Sequence, residues 1–98
     1  MKVNLVAELK SLDGSAIVGT DGNPAVLKGV IVDALMAVFQ DEPNLSGEEK
    51  MKRFLLAEKV YNGVGEYSAE EVALMKKLIG KAYTPIIVGQ AWKILEGE

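Results

Sequence analysis

Apolar side chains fill the run Val30-Ile31-Val32-Asp33-Ala34-Leu35-Met36-Ala37-Val38-Phe39 at every position but Asp33. Wound at about 100° per residue, the run puts Val30, Ala34 and Val38 on one side and Val32, Met36 and Phe39 largely on another. A helix that is apolar nearly all round has to be enclosed by its own domain, a membrane or a second chain. The run is too short for a bilayer, which takes about 20 apolar residues. The pattern therefore predicts a helix over about 25–39 that is enclosed by protein.

Upstream the period changes. Val3, Leu5, Ala7 and Leu9 alternate with Asn4, Val6 and Glu8, the pattern of a half-buried strand. Ser11-Leu12-Asp13-Gly14 reads as a turn, Ala16 to Val18 as a returning strand, and Asp21-Gly22-Asn23-Pro24 as a second turn, since Gly accepts positive φ and Pro donates nothing to a ladder. The expectation is an N-terminal β-hairpin over about 3–20. An isolated hairpin is marginal in water, so it has to pack on the helices downstream.

Downstream the helical period returns three times. Ser46-Gly47-Glu48-Glu49 and Ser68-Ala69-Glu70-Glu71 are both capping boxes, with a serine hydroxyl placed for the amide of the glutamate three residues on and the glutamate placed for the serine amide. They predict helices over about 47–61 and 69–82, the first closed by Asn62-Gly63. Tyr67 and Val72 occupy the staple positions of the second box. Thr84-Pro85 caps and starts a fourth helix over about 85–96, whose stripe is Ile87, Val88, Ala91, Trp92, Ile94 and Leu95. The two boxes open helices that do not match further on, so they are two start signals and no repeat. The fold class these elements predict is α+β, an N-terminal β-hairpin packed on a compact four-helix domain.

Ninety-eight residues, 49% hydrophobic and 26% charged, make a single domain over 1–98 that buries an ordinary core. A net charge of −3 argues against nucleic-acid binding by bulk electrostatics. The chain has no Cys and no His, which rules out metal sites and nucleophiles built on those side chains, as well as imidazole acid-base chemistry. No metal, cofactor or catalytic residue is expected. The Asp-Gly pairs at 13–14 and 21–22 lack the alternating ligands of an EF-hand, and Gly19, Gly22 and Gly29 precede no Gly-Lys-Ser/Thr of a phosphate loop. Acidic and polar residues interrupt Met1 to Lys10, so no secretion signal is read there, and with no Cys the expected compartment is the cytoplasm.

Three features compete for a binding role. Asp33 is either a buried carboxylate in need of a partner or part of a polar strip with Gly29 and Gln40. Lys50, Lys52 and Arg53, with Lys77 and Lys81 on the next helix, either converge on an anion or form a solvated face braced by Glu48 to Lys52 and Glu49 to Arg53. On the second helix Met51, Phe54, Leu55, Ala57 and Tyr61 make a broad apolar face, while Leu56 and Val60 fall on another arc. That surplus either makes Leu56 and Val60 candidate partner-binding residues or is covered by the hairpin. Trp92, of a type favoured at interface hot spots, is a further candidate or else a core residue on its stripe with Val88 and Leu95.

The residues Leu12-Asp13-Gly14, Ile17, Asp21-Gly22, Pro24, Leu27, Val30 and Ala34-Leu35 resemble a family of small uncharacterised proteins of tailed bacteriophages and prophages. The resemblance runs on through Ser46, Glu48-Glu49-Lys50, Leu56-Ala57, Lys59-Val60, Ser68-Ala69-Glu70-Glu71, Lys77 and Ile79, and closes on Pro85, Gly89-Gln90, Trp92 and Leu95-Glu96. It implies a viral context in a host cell and carries no catalytic residue. The sequence expectation is thus a non-enzymatic phage or prophage accessory or assembly protein that forms a homo-oligomer and binds a host or viral protein. The alternative is a small-ligand binder that sequesters a phosphorylated metabolite or signalling nucleotide at a subunit interface.

Overall fold

Serine hydroxyls open two of the helices. Ser46 accepts the Glu49 amide at the start of α2 (Gly47–Tyr61), and Ser68 accepts the Glu71 amide at the start of α3 (Ala69–Ala82). Only the second box is reciprocal: the Glu71 carboxylate takes the Ser68 amide at 2.8 Å, whereas the Glu49 carboxylate lies 3.6 Å from the Arg53 guanidinium instead. The computed structural model describes residues 1–19 and 22–97. Among these, two more helices form, α1 (Leu27–Met36) and α4 (Pro85–Leu95). Thr84 caps α4 through no side-chain hydrogen bond, and Pro85 alone marks its first turn. The chain packs α1 against both α2 and α3, and α4 against α3.

The expected α+β fold with an N-terminal hairpin is not formed. The described residues hold no strand longer than an isolated bridge, and the domain is predominantly helical. The N-terminal segment makes single bridges, Lys10 with Ala16, Val18 with Pro24, Glu8 with Val26 and Lys2 with Glu66. The reason lies in residues 4–7, which turn where a strand would run straight, the Ala7 amide reaching the Asn4 carbonyl at 3.3 Å. That turn aims two carbonyls at α1, so that Leu5 accepts the Lys28 amide and Ala7 accepts the Leu27 amide, each at 2.9 Å. Val26, at the N-cap, has no side chain to do this, and the first amides of a helix must find acceptors somewhere. The alternating pattern still fixes burial, with Val3, Leu5 and Leu9 in the core. Thr20, at the end of the expected hairpin, and Asp21, the first residue of the second expected turn, lie outside the described residues; Gly22 within that turn has φ +84°.

Helix α1 also ends earlier than its apolar run. Ala37 is extended at φ −73°, ψ 151°, and Val38 beyond it is 96% exposed. Enclosure therefore holds for one side only: Leu27, Val30, Ile31, Ala34 and Leu35 are buried, while Met36 and Asp33 face solvent. Asp33 is thus on the polar side with exposed Gly29. The core gathers Leu9, Leu27, Ile31, Val60, Met75, Leu78, Ile79 and Leu95 into one cluster, with Tyr67 and Val72 joining it at the start of α3.

Because Ala34 is completely enclosed, Ala34→Asp leaves a carboxylate without water or partner and lowers the melting temperature by at least about 10 °C. Denaturant titration ranks the caps against the surface. Ser68→Ala costs about 0.5–2 kcal/mol, and Glu48→Gln changes stability by less than about 0.5 kcal/mol. The reverse order is incompatible with the capping described.

Candidate functional site

Residues 37–46 connect α1 to α2, and their polar members reach back to the helices. Glu42 binds the Arg53 guanidinium through both oxygens, at 2.9 and 2.8 Å. Lys81 of α3 completes the cluster, 3.0 Å from Asp41 and 3.4 Å from Glu42. Its ammonium also stands 4.6 Å above the ring of Phe39, the favourable placing of a cation on an aromatic face. Arg53 is 4% exposed, and its Nε has no hydrogen-bond partner, Glu49 at 3.6 Å being beyond reach. The pair polarises both members. The Arg53 hydrogen bonds, with the charges of Arg53 and Lys81, outweigh desolvation and hold the Glu42 carboxyl at about 2. The same hydrogen bonds, foremost, push the Arg53 pKa up.

This ion cluster forms one wall of an apolar cleft of about 380 Å³, lined by Leu35, Met36, Phe39, Leu45, Phe54 and neighbours, with Lys50 among its lining residues. Phe54 and Met36 are about half exposed, and with Val38 they carry the cleft onto the surface. Met51 and Leu55, on the same side of α2, are also about half exposed and extend the patch toward a second cleft of about 310 Å³. Lys52, Leu55, Lys59, Ser68, Glu71 and Leu74 are among the residues that line this one. There Lys59 bonds both oxygens of Glu71, at 3.0 and 3.2 Å, and lies 4.6 Å above the Tyr67 ring. The Tyr67 hydroxyl is buried without a hydrogen-bond partner, and burial pushes its pKa up.

The residues singled out from sequence fall in different places. Leu56 and Val60 are core residues, packed with Ala57 and Arg53 on the inner face of α2. The exposed arc is the other one, Met51, Phe54, Leu55 and Tyr61. Trp92 sits at the edge of its stripe, 37% exposed. Its indole donates to the Lys76 carbonyl at 3.1 Å, and the Lys76 ammonium lies 4.8 Å over the ring. Of the basic residues, Arg53 and Lys81 do meet, but on Glu42 and Asp41. Lys50 lines the same cleft, Lys52 lines the other one, and Lys77 is exposed and lines neither. The two strongest cations of an anion site are therefore already neutralised by acids of the chain itself. Glu42, Phe39 and Val38 were not legible as site residues in the sequence. The 40–44 segment reads as a polar breaker, and nothing in its spacing pairs it with α2 or α3.

The cluster predicts a specific pH response. The Glu42 carboxyl has its ordinary value of 4.5 in the unfolded chain and is held down at about 2 in the folded one. Between those values the unfolded state binds more protons, so this contribution is complete above pH 4.5 and disappears as pH falls toward 2. Glu42→Gln flattens the fall of the urea midpoint across that window without abolishing it, because Asp13 is also held at about 2, chiefly by the Ser11 and Ser15 hydroxyls. Arg53→Glu sets two carboxylates together in a buried place and unfolds the protein, whereas Lys77→Glu leaves far-ultraviolet circular dichroism and midpoint unchanged.

Among the described residues no helix is long and apolar enough to cross a membrane. Compared with known proteins, the chain matches no family model, no curated protein and no solved structure.

Proposed function

We propose that the protein is a non-enzymatic accessory or assembly protein of a phage or prophage, acting in the host cytoplasm by self-association and protein binding. The viral context rests on the family resemblance of its turn, cap and core residues. The binding mode rests on one observation: Met36, Val38, Met51, Phe54 and Leu55 together leave a run of large apolar side chains exposed along α2 and the end of α1. Contiguous patches of more than a few hundred Å² are uncommon on monomers and mark interaction sites. Sequestration of a phosphorylated ligand is the weaker reading, because Arg53 and Lys81 already have acid partners.

A second copy of the chain is the simplest partner for such a surface. Sedimentation at tens of micromolar, an ordinary range for such contacts, shows a mass above the 10.6 kDa of one chain. Val38→Asp weakens that association at least about thirtyfold with unchanged circular dichroism, since Val38 is in water already. A wild-type protein that stays monomeric overturns the proposal.

A further inference from the structure

Leu12 is as exposed as Val38, at 96%, yet it sits on a turn that is anything but loose. The Ser11 amide donates to the Ser15 carbonyl at 2.9 Å and the Gly14 amide to the Ser11 carbonyl at 3.0 Å. Asp13 locks the loop from the side by accepting the Ser15 amide at 2.9 Å, the Ser15 hydroxyl at 2.7 Å and the Ser11 hydroxyl. Gly14 supplies the φ of +87° that closes it. The base of the turn is held as well, the Lys10 amide donating to the Gln90 side chain at 2.6 Å and the Lys10 carbonyl accepting from it. A solvated turn needs no leucine, and a fixed apolar knob loses little freedom when it docks.

We propose that the Leu12 turn of one copy docks in the cleft between α2 and the end of α1 of the next, so that the protein associates head to tail. This deepens the self-association reading and rests on it. Three observations choose this occupant. The cleft is apolar and about 380 Å³, with Leu35, Phe39, Leu45 and Phe54 among its lining, room for one branched side chain and the backbone that carries it. Its charge is complementary: Lys50 lines it and makes no ion pair among the described residues, while the Asp13 carboxylate beside Leu12 stays ionised down to about pH 2. The floor contributes no competing charge, because Arg53 is engaged by Glu42.

Position makes the contact intermolecular. The turn extends from the segment that bonds the residues before α1, with the Leu9 amide on the Ala25 carbonyl at 2.9 Å. The cleft opens at the opposite end, around Met36 and residues 37–45, and the ten residues of α1 separate the two by about 15 Å. With its base pinned to Gln90, the turn does not reach its own cleft. A knob and a cleft at different places on one surface make a heterologous contact, which closes into a ring or runs on as a filament.

The test uses two variants of the full chain, Leu12→Ser, which removes the knob, and Phe54→Asp, which blocks the cleft. Both residues face water, and circular dichroism checks that each variant is folded. Sedimentation of the wild type shows masses above 10.6 kDa, and each variant alone weakens association at least about thirtyfold. Mixed in equal amounts they recover it, but only to a species of twice the chain mass, because one intact knob meets one intact cleft and both remaining faces are dead. Recovery to that size and no further is the expected result. If Leu12→Ser associates like wild type while Phe54→Asp is monomeric, two α2 faces meet across a two-fold axis; self-association then stands and the head-to-tail arrangement is overturned. A mixture that remains monomeric overturns it equally. A monomeric wild type that instead captures a different protein through Phe54 overturns both this arrangement and self-association.

Discussion

The bidentate contact between Glu42 and Arg53 is the constraint on which the rest of the surface depends. It brings a buried guanidinium and a carboxylate from the α1–α2 connection to 2.8 Å, and a buried charge left alone would be far more costly than the same pair formed. With Lys81 joining from α3, one short loop becomes tied to two helices at once. That tie accounts for the end of α1: residues 37–39 leave the helix, Phe39 goes under the Lys81 ammonium, and Val38 turns out to water. The apolar cleft is a consequence, since its walls are the α1 end, the loop and α2.

The N-terminal segment performs a different service with similarly few residues. It supplies backbone carbonyls to the first amides of α1, where Val26 has no side chain capable of capping. It also adds Val3, Leu5 and Leu9 to the core. A segment used in this way has its donors and acceptors divided among α1, the chain at Gly65 and its own turns, and that division keeps the bridges single. The Gln90 side chain acts as one more backbone-like partner by donating and accepting at Lys10.

The helix starts were legible because their chemistry is local. Ser46 and Ser68 sit three residues before a glutamate, and the hydroxyl-to-amide bond needs no tertiary information. The Tyr67 and Val72 pair is local in the same sense and is buried. What the sequence did not disclose is all long-range. The α1 cap comes from residues about twenty positions away. The early end of α1 is decided by acids that pair with two later helices, and the failure of the hairpin follows from a turn at residues 4–7 whose purpose is α1. Alternation in that segment reported burial faithfully, and strand geometry did not follow from it.

Helix α2 shows how a charge can mark the inner face of a helix. Its sequence offers two apolar arcs, one with Met51, Phe54 and Leu55, the other with Leu56 and Val60. By residue type alone the broader arc, with its larger apolar side chains, belongs inside, although Glu58 falls within it. The fold turns the helix the other way, burying Arg53, Leu56, Ala57 and Val60 at spacings of three and four, because Glu42 waits on that side and makes the guanidinium an acceptable core group. Arg suits the place better than Lys would, since its planar fork meets both carboxylate oxygens while its stem packs as hydrocarbon. The arc displaced to the outside keeps its hydrophobic side chains and loses its intramolecular partners. An internal ion pair that neutralises a cation at the cleft therefore also exposes the apolar surface beside it, and the same interaction that weakens the case for an anion ligand strengthens the case for a protein one.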